Sequence, residues 1–245
     1  PKLKEVLRLR EKQQIGQNLW EFVFERPRNF AFAAGQYLEW TLAHPHADTR
    51  GNRRYFTISS APTERHVRIG VRVEEQGSSF KKKLVAMQPG EEIVAGQVAG
   101  EFVLPKNPKE KLAFLAGGIG VTPMRSMLKH LADKNEKRDV VMLYSARTRG
   151  AVAYADIFDE AAQKTGAKIF YCISDERPES DVRLAANIRL GFVDAEVIRR
   201  EIPDFAERTF YISGPRAMVV AFERALREMG VHRRKIKIDF FPGFA

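Results

Sequence analysis

Apolar and polar residues alternate in short runs over the first hundred residues, a pattern typical of antiparallel strands separated by turns. The runs predicted as strands are residues 3–6, 19–24, 36–42, 55–59, 67–73 and 101–104. Helical spacing is found once, where Phe80, Leu84 and Met87 follow serines that are able to cap a helix. Short strands with regular turns and little helix predict a small antiparallel β-barrel.

Beyond residue 111 the pattern changes to apolar runs that alternate with amphipathic segments. The predicted strands are residues 112–116, 140–145, 168–173, 210–212 and 235–240, and the predicted helices are 123–132, 155–163, 195–200 and 218–229. Strands that alternate with helices predict an α/β domain with a doubly wound parallel sheet. The polar, lysine-bearing stretch 107–111 marks the boundary, which gives domains 1–108 and 109–245.

The first strand of the second half runs into a glycine turn and a helix. Gly117, Gly118 and Gly120 allow a sharp turn and the close approach of a ligand to the backbone. Thr122 can cap the helix, and Pro123 can occupy its first position. Unpaired N–H groups and the helix dipole then point at one place, which predicts an anion site for a pyrophosphate. Pro123 replaces the third glycine of the strict dinucleotide fingerprint, and a glycine turn without a ligand explains the sequence equally well.

Three further stretches carry groups suited to a nucleotide. In the first, Arg54, Phe56 and Thr57 share a predicted strand and offer a bidentate phosphate donor, a flat stacking surface and a hydroxyl. A flavin nucleotide needs these groups, although an ordinary edge strand can contain them too. In the second, a helix start at Ser78 or Ser79 is followed by three lysines at 81–83, which favour an anion. A solvated helix cap explains that stretch as well.

The third stretch, Ser213-Gly214-Pro215 followed by Met218, is again strand, turn and helix. The carboxyl ends of neighbouring parallel strands meet at one edge of a sheet, so this turn can approach the same ligand as the glycine turn. Structural capping explains it nearly as well.

Composition narrows the hypotheses. The 245 residues carry a formal net charge of +10, which favours an acidic partner, a phosphate-rich ligand or an anionic surface. The single Cys172 rules out an internal disulfide and a cysteine-ligated iron–sulfur cluster within this chain. The five histidines show no metal-ligand spacing, so we predict no metal site and expect His44 and His46 to be solvated. No apolar run is long enough to span a bilayer and no signal peptide opens the chain, so we expect a cytoplasmic location.

Four motifs occur in order across nearly the whole chain. They are Arg54-x-Phe56-Thr57, Gly77-Ser78-Ser79, residues 117–123 and Ser213-Gly214-Pro215-x-x-Met218, with Gly35-Gln36-Tyr37 before them and an aromatic tail after them. The set resembles the ferredoxin–NADP reductase superfamily. The resemblance implies a flavin-binding barrel followed by a pyridine-nucleotide domain, with hydride passing from NAD(P)H to FAD and electrons leaving singly.

The same resemblance implies roles for individual residues. Arg54 would hold the FAD pyrophosphate, Phe56 would stack on the isoalloxazine and Thr57 would bond near its reactive nitrogen. Ser78 and Ser79 would cap the FAD phosphates. The implied cofactor-binding residues are Arg54, Tyr55, Phe56, Thr57, Val71, Arg72, Val73, Gly77, Ser78, Ser79, Gly117, Gly118, Gly120, Val121, Thr122, Pro123, Arg147, Asp175, Gly214, Pro215, Met218 and Phe241. The implied catalytic residues are Thr57, Ser213 and Phe241, the last of which matches the aromatic that covers the other flavin face.

Two departures from the superfamily pattern affect the expected activity. Ser213 stands where a cysteine is often found near the reacting nicotinamide carbon, so we expect slower hydride transfer. The chain continues from Phe241 to Ala245, which leaves open which aromatic shields the flavin. Asp239 lies where many relatives carry a carboxylate, and a purely structural role explains it too.

Cofactor selectivity is expected to depend on Arg147, Arg149 and the loop at 174–177. Relatives selective for NADPH often have an arginine directly after the serine of that loop, whereas here Asp175 follows and would repel a 2′-phosphate. Arg147 and Arg177 act in the opposite direction, and the balance favours NADH.

The electron acceptor is expected to be external. It would be an acidic ferredoxin- or flavodoxin-like protein or a partner redox domain, docking near the flavin at Arg50, Arg53 and residues 81–83. The alternatives are the reductase domain of a membrane electron-transport protein, which Pro1 and the basic charge permit and which would place this chain at the cytoplasmic face, and a ferric-siderophore or free-flavin reductase. Outside the enzyme class are a flavin-free structural relative and a basic nucleic-acid-binding module. The latter is disfavoured because basic residues are not interleaved with aromatics.

Overall fold

The computed structural model describes residues 4–176 and 186–239. Its first half is a six-stranded antiparallel sheet in the order β4-β3-β6-β1-β2-β5. The strands are β1 (Glu5–Gly16), β2 (Leu19–Phe24), β3 (Tyr37–Thr41), β4 (Arg53–Thr57), β5 (Val67–Arg72) and β6 (Glu92–Ala99), and helix α1 spans Ser79–Ala86. The N–H of Ser59 donates to the carbonyl of Arg68 at 2.8 Å and links the two edges of the sheet. The predicted antiparallel barrel is confirmed.

Alternating residues of this sheet fill the barrel. Phe22, Phe24 and Trp40 are fully buried there, and helix α1 adds Phe80 and Leu84 to the same core. The sixth strand was predicted wrongly at 101–104, because the chain pairs through β6 instead. Residues 101–104 leave the sheet and attach to the second domain, where the Tyr211 hydroxyl donates to the Val103 carbonyl at 2.7 Å.

The second half is a six-stranded parallel sheet in the order β10-β9-β8-β7-β11-β12. Its strands are β7 (Leu112–Gly117), β8 (Val140–Ala146), β9 (Lys168–Ile173), β10 (Ile188–Leu190), β11 (Thr209–Ser213) and β12 (Ile236–Ile238), and its helices are α2 (Thr122–Asp133), α3 (Ala155–Thr165), α4 (Ala195–Glu201) and α5 (Arg216–Glu228). One apolar core lies under α2 and α3 and a second under α4 and α5. Helices on both faces confirm the predicted doubly wound sheet.

The two sheets are joined by polar contacts between the loop after β4 and helix α2. The Arg125 guanidinium pairs with both carboxylate oxygens of Glu64, one of them at 3.0 Å. Arg125 also donates to the Ser59 carbonyl at 3.1 Å, and the Ser126 hydroxyl donates to the Ser60 carbonyl at 2.7 Å. We call these contacts the interdomain clamp. It connects the strand that carries Arg54 to the helix that follows the glycine turn.

Within residues 4–176 and 186–239, no helix combines the length and the apolar character that crossing a membrane requires.

Candidate functional site

The glycine turn and the turn after β11 lie side by side at the carboxyl edge of the parallel sheet. Strands β7 and β11 are neighbours, with Ala116 opposite Ser213. A Cβ atom on Gly120 would lie 2.4 Å from Gly214 Cα, and one on Gly117 would lie 2.3 Å from Met218 Sδ. The two turns therefore touch through their backbones, which only glycine permits. Four of the residues predicted for the nucleotide site are brought together here.

The start of helix α2 differs from the expectation. Residues Gly118–Val121 form a 3₁₀ turn, and Val121 rather than Thr122 is the N-cap. The Thr122 hydroxyl donates back to the Ile119 carbonyl at 3.1 Å, because the 3₁₀ turn places that carbonyl within its reach. Pro123 lies in the first turn, one residue after the helix begins rather than at its predicted first position. The Thr122 N–H donates to the Ile119 carbonyl and Pro123 has no N–H, so the first positions of α2 are not free to bind an anion. No side chain of the described residues caps the 3₁₀ turn that precedes α2, so any capacity for an anion lies at the start of that turn.

Strand β5 faces the glycine turn from the barrel side. A Cβ atom on Gly70 would lie 2.5 Å from the Tyr154 hydroxyl, so the two domains approach closely at this strand. The Arg72 guanidinium reaches the glycine turn, with Nη2 3.1 Å from the Cβ position of Gly118. Val71 points into the barrel core, and the N–H of Val73 donates to the Asn18 carbonyl at 2.8 Å. Of the three predicted residues Val71, Arg72 and Val73, only Arg72 is shown to place its side chain at the glycine turn.

A second cluster of predicted site residues lies at the start of helix α1. The Ser78 hydroxyl accepts from the Lys81 N–H at 3.4 Å and caps the helix, as predicted. Arg54 is 2% exposed, and its Nη1 donates to three backbone carbonyls of the loop before it. Its Nη2 has no hydrogen-bond partner among the described residues. Burial lowers the pKa of Lys81, and the nearby cations Arg54 and Arg50 lower it further. Buried positive charge thus converges on one helix N-terminus.

Asp48 joins the same cluster, although it was not among the predicted residues. Its carboxylate accepts from the Ser79 N–H at 2.9 Å and lies 3.5 Å from Arg54 Nη2. The Ser79 N–H holds the pKa of Asp48 below its usual value. His44, expected to be solvated, instead lies 2.9 Å from the Ser79 hydroxyl. The sequence did contain a signal for a turn at this place, because an Asp three residues before a Gly is typical of a β-turn. The Gly51 N–H donates to the Asp48 carbonyl in that turn.

The aromatic residues of β4 also differ from the expectation. Phe56 shares a face with Arg54, as predicted, but it is 6% exposed and its ring packs in the barrel core 5.9 Å from that of Phe80. This placement leaves no ring face open for stacking on a flavin. Tyr55, on the opposite face, is half-buried and meets Tyr37 edge-on at 5.8 Å. Thr57 is buried on that same side of the strand, opposite Tyr37.

At the carboxyl edge of the sheet, Ser213 contacts a carboxyl group. Its hydroxyl lies 3.2 Å from Asp239 Oδ2, and Ser213 is buried. Burial raises the pKa of Asp239 to about 7, against the opposing effect of the Ser213 hydrogen bond. Asp239 is therefore able to hold or release a proton near neutral pH. Phe241 lies outside the described residues.

The predicted selectivity residues form two ion pairs after β8 and β9. Arg147 Nε and Nη2 both lie 2.7 Å from Asp175 Oδ2. Arg149 Nε lies 2.9 Å from Glu176 Oε2. Each arginine is therefore matched by a carboxylate at the edge where an adenine ribose would be read. Arg177 lies outside the described residues.

Known proteins share this architecture. Residues 114–224 match the family described as the oxidoreductase NAD-binding domain. A flavohemoprotein of Rhodopirellula baltica is 30% identical over 221 residues, which cover 86% of this chain and 53% of the relative. The FAD/NAD-binding domain of a nitric oxide dioxygenase from Vibrio cholerae has a TM-score of 0.82 at 22% identity and covers 96% of this chain and 98% of its own. A ferredoxin NADP+ reductase from Neisseria gonorrhoeae, with bound FAD and NADP, has a TM-score of 0.79 at 17% identity and covers 96% of this chain and 98% of its own.

The chain has the two-domain fold of FAD- and NAD(P)-binding oxidoreductases such as the ferredoxin NADP+ reductase, and its residues 114–224 match the oxidoreductase NAD-binding domain. The resemblance stated on four motifs is confirmed at this level. This chain spans about half the length of the flavohemoproteins it matches. The residue-level roles that the resemblance implies remain predictions.

Proposed function

We propose that this chain binds FAD at the start of helix α1 and passes electrons from NADH to an external redox protein or domain. The observation that carries the proposal is Arg54, a buried guanidinium beside a helix N-terminus whose Nη2 makes no hydrogen bond and only a 3.5 Å ion pair with Asp48. An anion next to these groups would satisfy Nη2 and relieve the repulsion between Arg54 and Lys81. A pyrophosphate fits this donor set because its oxygens accept from both guanidinium and backbone N–H groups.

The second half of the proposal concerns the nicotinamide nucleotide. Its pyrophosphate would be bound at the start of the 3₁₀ turn that leads into α2, within reach of Arg72. When bound, FAD would supply the acceptor for hydride and the donor of single electrons. Ser213 and Asp239 are the residues of this chain that we assign to the reacting end, where Asp239 holds a proton at its carboxyl below about pH 7. Thr57 is assigned to the flavin side by the superfamily resemblance.

Flavin content tests the Arg54 assignment. Arg54→Ala removes a charged phosphate contact, worth about 1.5–3 kcal/mol, so FAD affinity should fall by at least tenfold and flavin should be lost on dialysis. The matched control is Arg53→Ala, because Arg53 is exposed and pairs only loosely with Glu39 at 3.9 Å. The visible spectrum of each dialysed protein gives the result. Equal flavin retention by Arg54→Ala and the parent would show that this strand does not hold FAD.

Steady-state kinetics test the proposed preference for NADH. Asp175 would repel a 2′-phosphate and also occupies Arg147, so we expect a higher kcat/KM with NADH than with NADPH. Asp175→Asn should free Arg147 and shift the ratio of kcat/KM for NADH and NADPH toward NADPH by about tenfold. Glu176→Gln, which neutralises the carboxylate that pairs with Arg149, is the variant for comparison. A parent enzyme that prefers NADPH would mean that the arginines dominate.

The proposed acceptor is a redox protein or a redox domain joined to this one. The flavohemoproteins that this chain matches are about twice as long as the matched region, so in them a further segment accompanies this reductase half. Bleaching of the flavin by NADH, followed by reduction of added acceptors, tests this step. Flavin that NADH reduces but that no ferredoxin, flavodoxin or haem protein reoxidises would instead favour a free-flavin or ferric-siderophore reductase.

A further inference from the structure

The cations of this chain concentrate at one end of the second domain. Its six strands are parallel, so the connections that enter them share an edge, opposite the edge that carries the glycine turn. The strand starts are aligned there, since the N–H groups of Leu112 and Thr209 donate to the carbonyls of Asp139 and Lys111 at 2.9 Å. We call this surface the amino-end face. It is formed by residues 105–111, 130–139, 162–168, 198–208 and 225–235.

The amino-end face holds most of the net charge. Its 46 residues include fifteen lysines and arginines against eight aspartates and glutamates, a net charge of +7. The rest of the chain is more than four times as long and carries 26 cations against 23 acids, a net charge of +3. The basic character of the protein is therefore local.

Many of these cations have no protein partner. The exposed ones that form no ion pair and no side-chain hydrogen bond within the described residues are Lys106, Lys109, Lys134, Lys137, Lys168, Arg199, Arg227, Arg233 and Arg234. The carboxylates of the face are largely occupied: Asp204 pairs with Arg208 at 2.6 Å and with Lys111 at 3.1 Å. The surface that remains is one of free positive charge.

The cations of the barrel side are arranged differently. Arg53 lies 3.9 Å from Glu39, Arg50 lies 4.0 Å from Asp48 and Lys83 lies 3.3 Å from Glu91. The acceptor-docking patch expected from the sequence is thus partly neutralised. The stronger positive field belongs to the amino-end face, which lies one strand length, roughly 20 Å, from the nucleotide edge.

We propose that the amino-end face binds the surface of an anionic phospholipid bilayer. Its charges are spread across the starts of five neighbouring strands and are carried by long, flexible side chains, which suits a flat array of headgroups rather than one pocket. A protein partner would require an apolar centre, and the large exposed hydrophobics of the described residues, Val6, Phe192 and Val220, all lie outside this face.

Nucleic acid is the other polyanion that such a face could attract. Binding of unpaired bases uses exposed aromatic side chains. The face contains one Phe, Phe205, which packs against the core beneath α4 and α5. A bilayer contact at this end would leave the nucleotide edge facing away from the membrane and open to cofactor. The proposal does not depend on the flavin assignment, because membrane binding can be measured without turnover.

Vesicle sedimentation of the whole chain tests the proposal. The parent should sediment with vesicles containing phosphatidylserine, should remain in solution with phosphatidylcholine alone, and should be released by salt. The triple variant Lys137→Gln, Arg233→Gln, Arg234→Gln should bind roughly 100-fold more weakly. Each charge near the membrane surface contributes about fivefold in affinity, and three such losses multiply. The matched control Lys4→Gln, Arg28→Gln, Arg65→Gln removes three exposed barrel cations and should bind as the parent does.

Three results would overturn the proposal. The first is an equal loss of binding in the face variant and the barrel variant, since that would mean that total charge and not this face attracts the vesicles. The second is failure of the parent to bind phosphatidylserine vesicles at low salt. Duplex DNA serves as the competing polyanion. The third result is that DNA displaces the protein from vesicles at equal phosphate concentration and that the protein–DNA complex persists at higher salt than the protein–vesicle complex. That result would identify nucleic acid as the partner instead.

Discussion

At the scale of single residues, the buried carboxyl of Asp239 makes stability depend on pH. Burial raises its pKa from 3.8 to about 7, so between those values the unfolded chain releases a proton that the folded chain keeps. The contribution of Asp239 to stability is complete below about pH 4 and is lost as the pH rises through 7. Asp239→Asn removes this loss, so the variant should match the parent near pH 4 and exceed it at pH 8 by about 2 kcal/mol.

Urea unfolding of both proteins at the two pH values measures this difference. Parallel pH profiles for parent and variant would contradict the raised pKa. A variant that is less stable at both pH values would indicate that the Ser213–Asp239 hydrogen bond outweighs the cost of burying the carboxylate.

Local chemistry allowed some residues to be predicted, and contacts over long sequence distances hid others. Ser78 caps α1, Asp194 caps α4 and Gly166 ends α3 in the left-handed conformation; such caps can be predicted because they depend on residues only a few positions apart. Asp48 was missed because its partner Ser79 lies 31 positions away. The burial of Phe56 could not be predicted, because the ring it packs against, Phe80, belongs to a different element.

At the scale of elements, the interdomain clamp joins the two halves of the proposed site. Arg125 is buried, and its pKa is raised by Glu64 against the effect of burial. Glu64→Gln leaves that guanidinium without a counter-charge, which should cost about 3–5 kcal/mol of unfolding free energy. The double variant Glu64→Gln, Arg125→Gln should recover part of the loss, because no buried charge remains uncompensated.

Denaturant unfolding in a double-mutant cycle measures the coupling. The control is the exposed i, i+4 pair Arg224–Glu228, for which Glu228→Gln should cost no more than about 0.5 kcal/mol. A Glu64→Gln cost as small as that of the surface pair would show that the clamp does not hold the domains together.

The strength of each local pattern decided which elements could be predicted. Strands β2 and β9 have the bounds that were predicted, because five of the six residues in each are apolar and turn residues flank the run. Strand β1 runs to Gly16, well past its predicted end, since its outer positions are polar and hide the alternation. Strand β10 has three residues, none fully buried, and its pairing with β9 supplies what its own pattern does not.

At the scale of the whole molecule, the distribution of charge could not be predicted from the sequence. The lysines and arginines of the amino-end face are scattered from Lys106 to Lys235, and only the parallel topology collects them at one edge. The sequence instead predicted a basic docking patch that included residues 81–83, where three lysines are adjacent. Of these, Lys81 is largely enclosed beside Arg54 and Lys83 pairs with Glu91, so a run of charges in the sequence is not an exposed patch in the fold.

This distribution predicts how an acidic acceptor protein will respond to charge variants. The amino-end face lies roughly 20 Å from the nucleotide edge, more than twice the screening length of about 8 Å at physiological ionic strength. Neutralising Lys137, Arg233 and Arg234 should therefore change the rate of acceptor reduction by less than twofold, although it removes three of the ten net charges. Arg53→Gln with Lys82→Gln removes fewer charges, but these lie beside the proposed flavin site, and the rate should fall several-fold. Stopped-flow reduction of a ferredoxin or flavodoxin across ionic strength measures both, with flavin reduction by NADH as the step that neither variant should alter. A larger loss in the amino-end variant would mean that the acceptor docks at the amino-end face, and the assignment of the flavin edge as the exit for electrons would then be wrong.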